Sequence, residues 1–332
     1  MVANIDTMAY VGEKPWHGLG TEVPNIMTAE EAIVAGGLNW NVEKKPIYFE
    51  NIIAEEGGVR RSNDVLIPDK FATVRMDKNI PLGVVGKQYT VLPNKDAFSF
   101  LDAVITSKEA VYHTVGSLGQ GEVIWLLAKL PRSIKVIHDD VVDQYLLLSN
   151  SHNGSSAVTV RWTPIRVVCQ NTLTASFRNS THVINIHHTP NMGDKVAEAR
   201  RILGISSEFY DMFGQMAKKM VKKEFVKSVE KDFFDKIGLG EDDTEDSTRK
   251  ENMKEEISKY IVEGTGNNMK DVRGTVWAAY NGVTYWVDHV KNVKASKRFG
   301  KSNKLQNIWW GSGAEMKRKA WDASVELVLN KN

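Results

Sequence analysis

The residues able to do chemistry crowd into RWTPIRVVCQNTLTASF, residues 161–177. This run carries Arg161, Trp162, Arg166, the single cysteine Cys169 and the polar triplet Gln170, Asn171 and Thr172. Two chemistries are open to it. Cys169 would act as a nucleophile only as a thiolate, which needs a helix N-terminus, a cation or a histidine base close by. Arg166 and an expected helix start at Gln170-Asn171-Thr172 could supply the first two. Val167, Val168 and Leu173 are apolar, however, and a free cysteine so flanked usually packs as a small hydrophobe. Packing is therefore the expectation. The second chemistry is phosphate contact, with Arg161 and Arg166 as cations and Trp162 as a stacking surface. His182, His187 and His188 follow, with His152 upstream; on a strand His182 and His188 share a face. Their spacing matches neither CxxC nor HExxH, so they read as hydrogen-bonding or phosphate-contacting groups, and no metal is expected.

A second cationic stretch, KNVKASKRFGKSNK, spans residues 291–304. It holds Lys291, Lys294, Lys297, Arg298, Lys301 and Lys304 without an acid, has Phe299 inside it, and is followed by Trp309 and Trp310. Cations that neutralise phosphates and aromatic faces that accept any base are what single-strand binding needs. Lys218, Lys219, Lys222, Lys223 and Lys227 are offset by Glu224 and Glu230 and read as an ordinary charged helix face. The sequence contains neither GxxxxGK[ST] nor GxSxG, and no cofactor is expected. The acid pairs Asp139-Asp140 and Asp242-Asp243 read as solvated loop residues.

The elements that must position these groups follow from composition and periodicity. The chain has 332 residues, 42% hydrophobic and 25% charged, with a formal net charge of +2. That is enough apolar content for a sizeable core and too little net charge for a tail-driven polyanion binder. The opening MVANIDTMAY lacks a charged and an apolar leader region. With one cysteine and no apolar run of membrane-spanning length, a cytoplasmic setting is expected.

Thr28 with Glu30 and Glu31 predicts a helix start, and Gly36-Gly37 its stop. Period-two patterning predicts strands over 47–55, 70–76, 82–92, 110–118, 122–131, 144–152, 156–164 and 181–189. Turns are expected at Gly119-Gln120-Gly121 and Asn153-Gly154. Asn94 reads as a cap for a helix with Phe98, Leu101, Val104 and Ile105 at helical spacing. A long amphipathic helix is predicted over 194–237, then helices over 250–263, 270–289 and 312–329. The fold class is α+β: an antiparallel or mixed sheet with covering helices and a helical C-terminal third. We expect an α+β body with an N-terminal arm over 1–190 and a helical region over 191–332.

Four blocks carry a resemblance: PWHGLG near the start, LGVVGKQYTVLPNKDAF, SNSHNGSSAVTVRWTPIRVVCQNTL and AAYNGVTYWVDH. In this order they resemble a family of phage- and plasmid-encoded proteins defined by a domain of unknown function. The resembling positions include His152, Asn153, Gly154, Arg166, Cys169, Gln170, Asn171 and Thr172, and the family assigns them no role. The resemblance implies a mobile-element origin in a bacterial cell, among replication or recombination genes. The architecture is also similar to ring-forming single-strand annealing proteins, an analogy that transfers no residue.

The leading expectation is a phage DNA-metabolism protein that binds single-stranded DNA as a homo-oligomer, a ring in the annealing analogy, and anneals strands without nucleotide hydrolysis. Arg161, Trp162, Arg166 and the 291–304 cations would make the contacts. The alternatives are a module binding a host replication or defence protein, and a thiol- or metal-dependent enzyme centred on Cys169.

Overall fold

A computed structural model describes residues 4–12, 19–24, 28–54, 60–99, 102, 110–155, 158–166, 168–169, 171–174, 183–186, 192–240, 247–293 and 304–330. The architecture is α+β. Strands β1 (Ile5–Tyr10), β2 (Thr21–Glu22), β6 (Val111–Leu118), β7 (Val123–Ile137) and β8 (Asp140–Ser151) form one sheet with β9 (Val158–Trp162), β10 (Ile165–Arg166), β11 (Asn171–Thr172) and β12 (Val183–Ile186). All its pairs are antiparallel except β1–β2. A separate three-stranded sheet is made by β3 (Val42–Ala54), β4 (Arg60–Arg75) and β5 (Ile80–Gly86).

The helices are α1 (Ala29–Ala35), α2 (Asn94–Phe98), α3 (Met192–Lys222), α4 (Lys227–Lys236), α5 (Ser247–Glu263), α6 (Val276–Tyr285), α7 (Lys304–Trp309) and α8 (Ser312–Leu329). A π-helical turn, Trp286–Val290, extends α6. Among the described residues no helix is long and apolar enough to cross a membrane.

Local chemistry explains the boundaries. Thr28 and Glu31 form the capping box that starts α1, and Gly36 and Gly37 end it. Gly119 and Gly121 take φ of 71° and 114°, the left-handed backbone that turns β6 into β7. At Thr163-Pro164 the chain loses its strand, because proline has no N–H to donate. Strands β9 and β10 therefore lie in series on the same edge of β8: Leu146 pairs with Trp162 and Val142 with Arg166.

Three expectations are corrected. The helix predicted over 194–237 is two helices, because Glu224 bridges Thr275 while Phe225 N–H bonds the Gly274 carbonyl. Pro93 occupies the N-cap position of α2; the Asn94 amide instead donates to the Leu38 carbonyl and accepts from His152. No helix starts at Asn171-Thr172; these two residues form β11 against β10. Of the helical positions predicted after Asn94, Leu101, Val104 and Ile105 lie outside the described residues.

The main core lies between one face of the large sheet and the helices. Ala128, Leu146, Val160 and Trp162 pack there with Phe209, Phe213, Trp277 and Trp321. Helix α6 is apolar on all sides, with every residue from Val276 to Thr284 buried, so it is the helix the others surround. The opposite face of the sheet carries a smaller cluster: Trp125, Leu127, Tyr145 and Leu147, covered in part by Leu305, Trp309 and Trp310 from α7 and the turn after it.

Candidate functional site

Arg166 and Trp162 do not lie on a surface. Arg166 is fully buried and grips Asp140 through two 2.7 Å hydrogen bonds, from Nε to Oδ1 and from Nη2 to Oδ2. Two further N–H groups donate to the Asn267 side chain and the Gly266 carbonyl, and Trp277 Nε1 donates to Asp140 at 2.8 Å. Four of the five guanidinium N–H groups are thus used and the side chain is fully buried, so it presents no donor at the surface to a phosphate. Asp140 is correspondingly no solvated loop acid: it ties β8 and β10 to α6. Trp162 is 4% exposed and stacks on Phe209 with ring centres 5.6 Å apart, so it offers no free face to a base.

Asn171 and Thr172 enter a second buried network. Asp288, on the π-helical turn, accepts from Thr172 N and Oγ1, both at 2.7 Å, and from Lys317 Nζ at 2.9 Å. Lys317 donates also to the Thr172 carbonyl. Burial lowers the Lys317 ammonium pKa, and the Asp288 charge opposes it. Asn171 Nδ2 donates to Thr284 Oγ1, and its Oδ1 lies 3.0 Å from His289 Nε2. The extra residue of the π-helical turn places Asp288 and His289 in consecutive positions against the same strand. The blocks at 149–173 and 278–289 are thus one three-dimensional joint. Thr172, Asp288 and Lys317 satisfy one another there and Thr284 accepts from Asn171, while Asn281 Oδ1 has no partner among the described residues.

Cys169 belongs to that joint. It is buried, and burial pushes its thiol up to about 11, the Arg166 charge only partly opposing. His289 Nε2 faces the Cys169 carbonyl at 3.1 Å, so the thiol has no base placed against it there. The raised pKa disfavours the thiolate that a nucleophile needs. His152 is also buried; its Nε2 meets Asn94 Oδ1 at 2.7 Å, and its carbonyl accepts from Thr73 Oγ1. Asn153 lies against β5, where a Cβ on Gly83 would come within 2.6 Å of Asn153 Cα. Gly154 takes φ of 78°, as a turn into β9 requires. Gln170, His182, His187 and His188 lie outside the described residues. Among the described residues no group of His, Cys, Asp or Glu could hold a metal.

Arg161 is placed differently. It is partly exposed on β9 opposite Leu147, on the face away from the main core. Among the described residues its Nε has no acceptor and no carboxylate pairs with it; burial alone lowers its pKa. Arg161 and Trp162 line a cavity of about 200 Å³, together with Trp309, Trp310, Gly311 and the first turns of α8.

The two described ends of the cationic stretch sit close by. Lys291 lies over the Trp286 ring, 5.7 Å from its centre, and donates to Ser312 Oγ at 3.3 Å. Lys304 donates to the Val287 and Lys291 carbonyls, and burial pushes it down to about 8. Lys304 is therefore an anchor and not the free phosphate contact expected of it. Lys294, Lys297, Arg298 and Lys301 lie outside the described residues.

Sequence reasoning missed Asp140, Asp288 and Lys317. The only available signal was a charged residue inside an apolar pattern: Asp288 between Val287 and Val290, and Lys317 one turn before Trp321. No curated protein and no solved structure matches this chain. Residues 81–309, more than half of the chain, match the model described as domain of unknown function DUF932, and the chain belongs to that family.

Proposed function

We propose that the protein binds single-stranded nucleic acid as part of the DNA metabolism of a bacteriophage or related mobile element, working in the bacterial cytoplasm. The observation that carries this reading is Arg161: a guanidinium on a sheet face without a carboxylate partner among the described residues, beside the tandem Trp309-Trp310. An unpaired arginine next to aromatic rings serves backbone neutralisation and base contact together. In the sequence the acid-free stretch 291–304 runs into the helix that carries Trp309 and supplies further cations. The activity we infer is annealing of complementary strands without nucleotide hydrolysis by a homo-oligomer. Tyr48, Phe49 and Leu66 of the three-stranded sheet, each about half exposed, support association between copies.

The test is anisotropy of a labelled oligonucleotide at about 50 and about 200 mM salt. Micromolar binding that weakens steeply with salt is expected, and Arg161→Ala should weaken it by about tenfold while leaving the circular dichroism spectrum unchanged. Absence of salt-sensitive binding by the wild-type chain overturns the reading. Retention of a host protein by a chain with no DNA affinity would put the host-partner alternative in its place.

A further inference from the structure

The sequence offsets the lysines at the end of α3 with Glu224 and Glu230, but the fold does not pair them. Lys218, Lys219, Lys222, Lys223 and Lys227 have no carboxylate within 4.0 Å among the described residues. Lys223 is half-buried and the other four are exposed. Pairing is otherwise common on these helices. Lys236 meets Asp232 and Glu326, Lys254 meets Glu251, Lys259 meets Glu263, and Arg318 and Lys319 meet Glu315. The end of α3 departs from that habit.

The fold adds an arginine to the group. Phe225 N–H donates to the Gly274 carbonyl at 2.8 Å, and Val276 N–H to the Lys223 carbonyl at 2.9 Å. This antiparallel pairing carries Arg273 and Lys227 onward in the same direction, and both are exposed. Asp271, the nearest acid to Arg273 in sequence, turns to His138 at 3.2 Å. Helix stability accounts for only part of the cluster. Lys219 and Lys222 lie in the last turn of α3, where cations complement the dipole. Lys227 opens α4, where a cation opposes it.

We propose that this end of the molecule binds the sugar–phosphate backbone of double-stranded nucleic acid, independently of sequence and apart from the surface around Arg161. A protein partner would want an apolar and aromatic centre, from which lysine is depleted. A lipid surface would want apolar side chains to insert. Val226, 48% exposed, is the one large apolar side chain exposed between Lys218 and Lys227, and Phe225 is packed against the core. Without a free ring the surface has nothing for an unstacked base. What remains is charge for phosphates, and a duplex presents one about every 1.7 Å. The proposal needs neither Arg161 nor a single strand, so it stands or falls separately from the function proposed above.

The experiment is anisotropy of a labelled blunt DNA duplex of about 30 base pairs, titrated with the full chain from about 50 to about 200 mM salt. Micromolar binding that weakens with salt is expected. The variant Lys218→Gln/Lys222→Gln/Lys223→Gln should bind at least about tenfold more weakly, and its log–log salt slope should be shallower by about 2–3. A control with the same net charge, Lys254→Gln/Lys259→Gln/Lys319→Gln, removes paired cations and should bind as the wild type does, as should Arg161→Ala. All three should keep the wild-type melting temperature within a few degrees. Absence of salt-sensitive duplex binding by the wild type overturns the proposal, and so does an equal loss in the control. Duplex binding abolished by Arg161→Ala overturns the separate surface. Retention on phosphatidylcholine–phosphatidylserine vesicles without duplex binding overturns it in favour of a lipid surface. Duplex binding without single-strand binding upholds this site and removes the reading built on Arg161.

Discussion

His152 shows how much of the resembling block 149–173 serves stability. Its ring is buried, with Trp40 set edge-on at 5.4 Å, Nε2 donating to Asn94 Oδ1 and Nδ1 without a donor among the described residues. Burial pushes its pKa down to about 4 from the ordinary 6.5, so the native ring is neutral. The folded value lies below the unfolded one. The stabilisation is therefore present above about pH 6.5 and is lost as pH falls toward about 4. Between pH 7 and pH 5 His152 should account for about 2 kcal/mol of lost stability. Urea unfolding at both pH values measures it. His152→Gln, which keeps a donor for Asn94, should flatten the dependence, leaving the part due to His113, a ring pushed to about 4 by burial. An unchanged pH slope in that variant would show that His152 is not the titrating group. At this scale the place of Arg161 on a strand was legible from the alternation of 156–164. The different fate of Arg166 was not, because its partners Asp140 and Asn267 lie far off in the chain.

The joint between the sheet edge and the helices depends on Asp288 and Lys317, a pair buried to 0% and 1% exposure. Two charges in such a place are stable only together, because each alone would be a desolvated ion without a partner. Asp288→Asn should therefore cost about 3–5 kcal/mol in denaturant unfolding, and adding Lys317→Met should restore part of it. Additive losses in that double-mutant cycle would mean the two do not act as a pair. At this scale the sequence is readable where periodicity is clean. Helix α8 begins and ends where its apolar spacing says, and β6 through β9 follow their alternation. It misleads where tertiary pairing overrides local pattern. The 194–237 periodicity runs on through Phe225, yet hydrogen bonds to Gly274 and Thr275 pull the chain out of the helix there. The run 165–173 reads as a helix start, but Asn171 and Thr172 are claimed by β10 on one side and by Asp288 on the other.

The sequence changes character near residue 190, from alternating to helical patterning, but the hydrophobic core does not stop there. Ala9, Leu126 and Leu146 from the sheet share one cluster with Ile202, Phe213, Trp277, Trp321 and Leu327. Phe213 of α3 stacks on Trp321 of α8 at 4.9 Å, and Tyr210 both donates to the Tyr145 carbonyl and accepts from its N–H. The Arg166–Asp140 pair, bonded to Asn267 and Trp277, crosses the same border with full burial. Neither part keeps its core alone: residues 1–190 would expose a sheet face of Leu, Val and Trp, and residues 191–332 would expose α6 to water. We therefore expect fragments 1–190 and 191–332, expressed separately, to lack cooperative thermal transitions. The intact chain should lose tryptophan burial and helical signal in one coincident transition. Co-expression should recover a folded complex, since the contacts named here join residues far from the severed link at 190. A fragment that unfolds cooperatively by itself, or two separated transitions in the whole chain, would place a true domain border at the change of pattern.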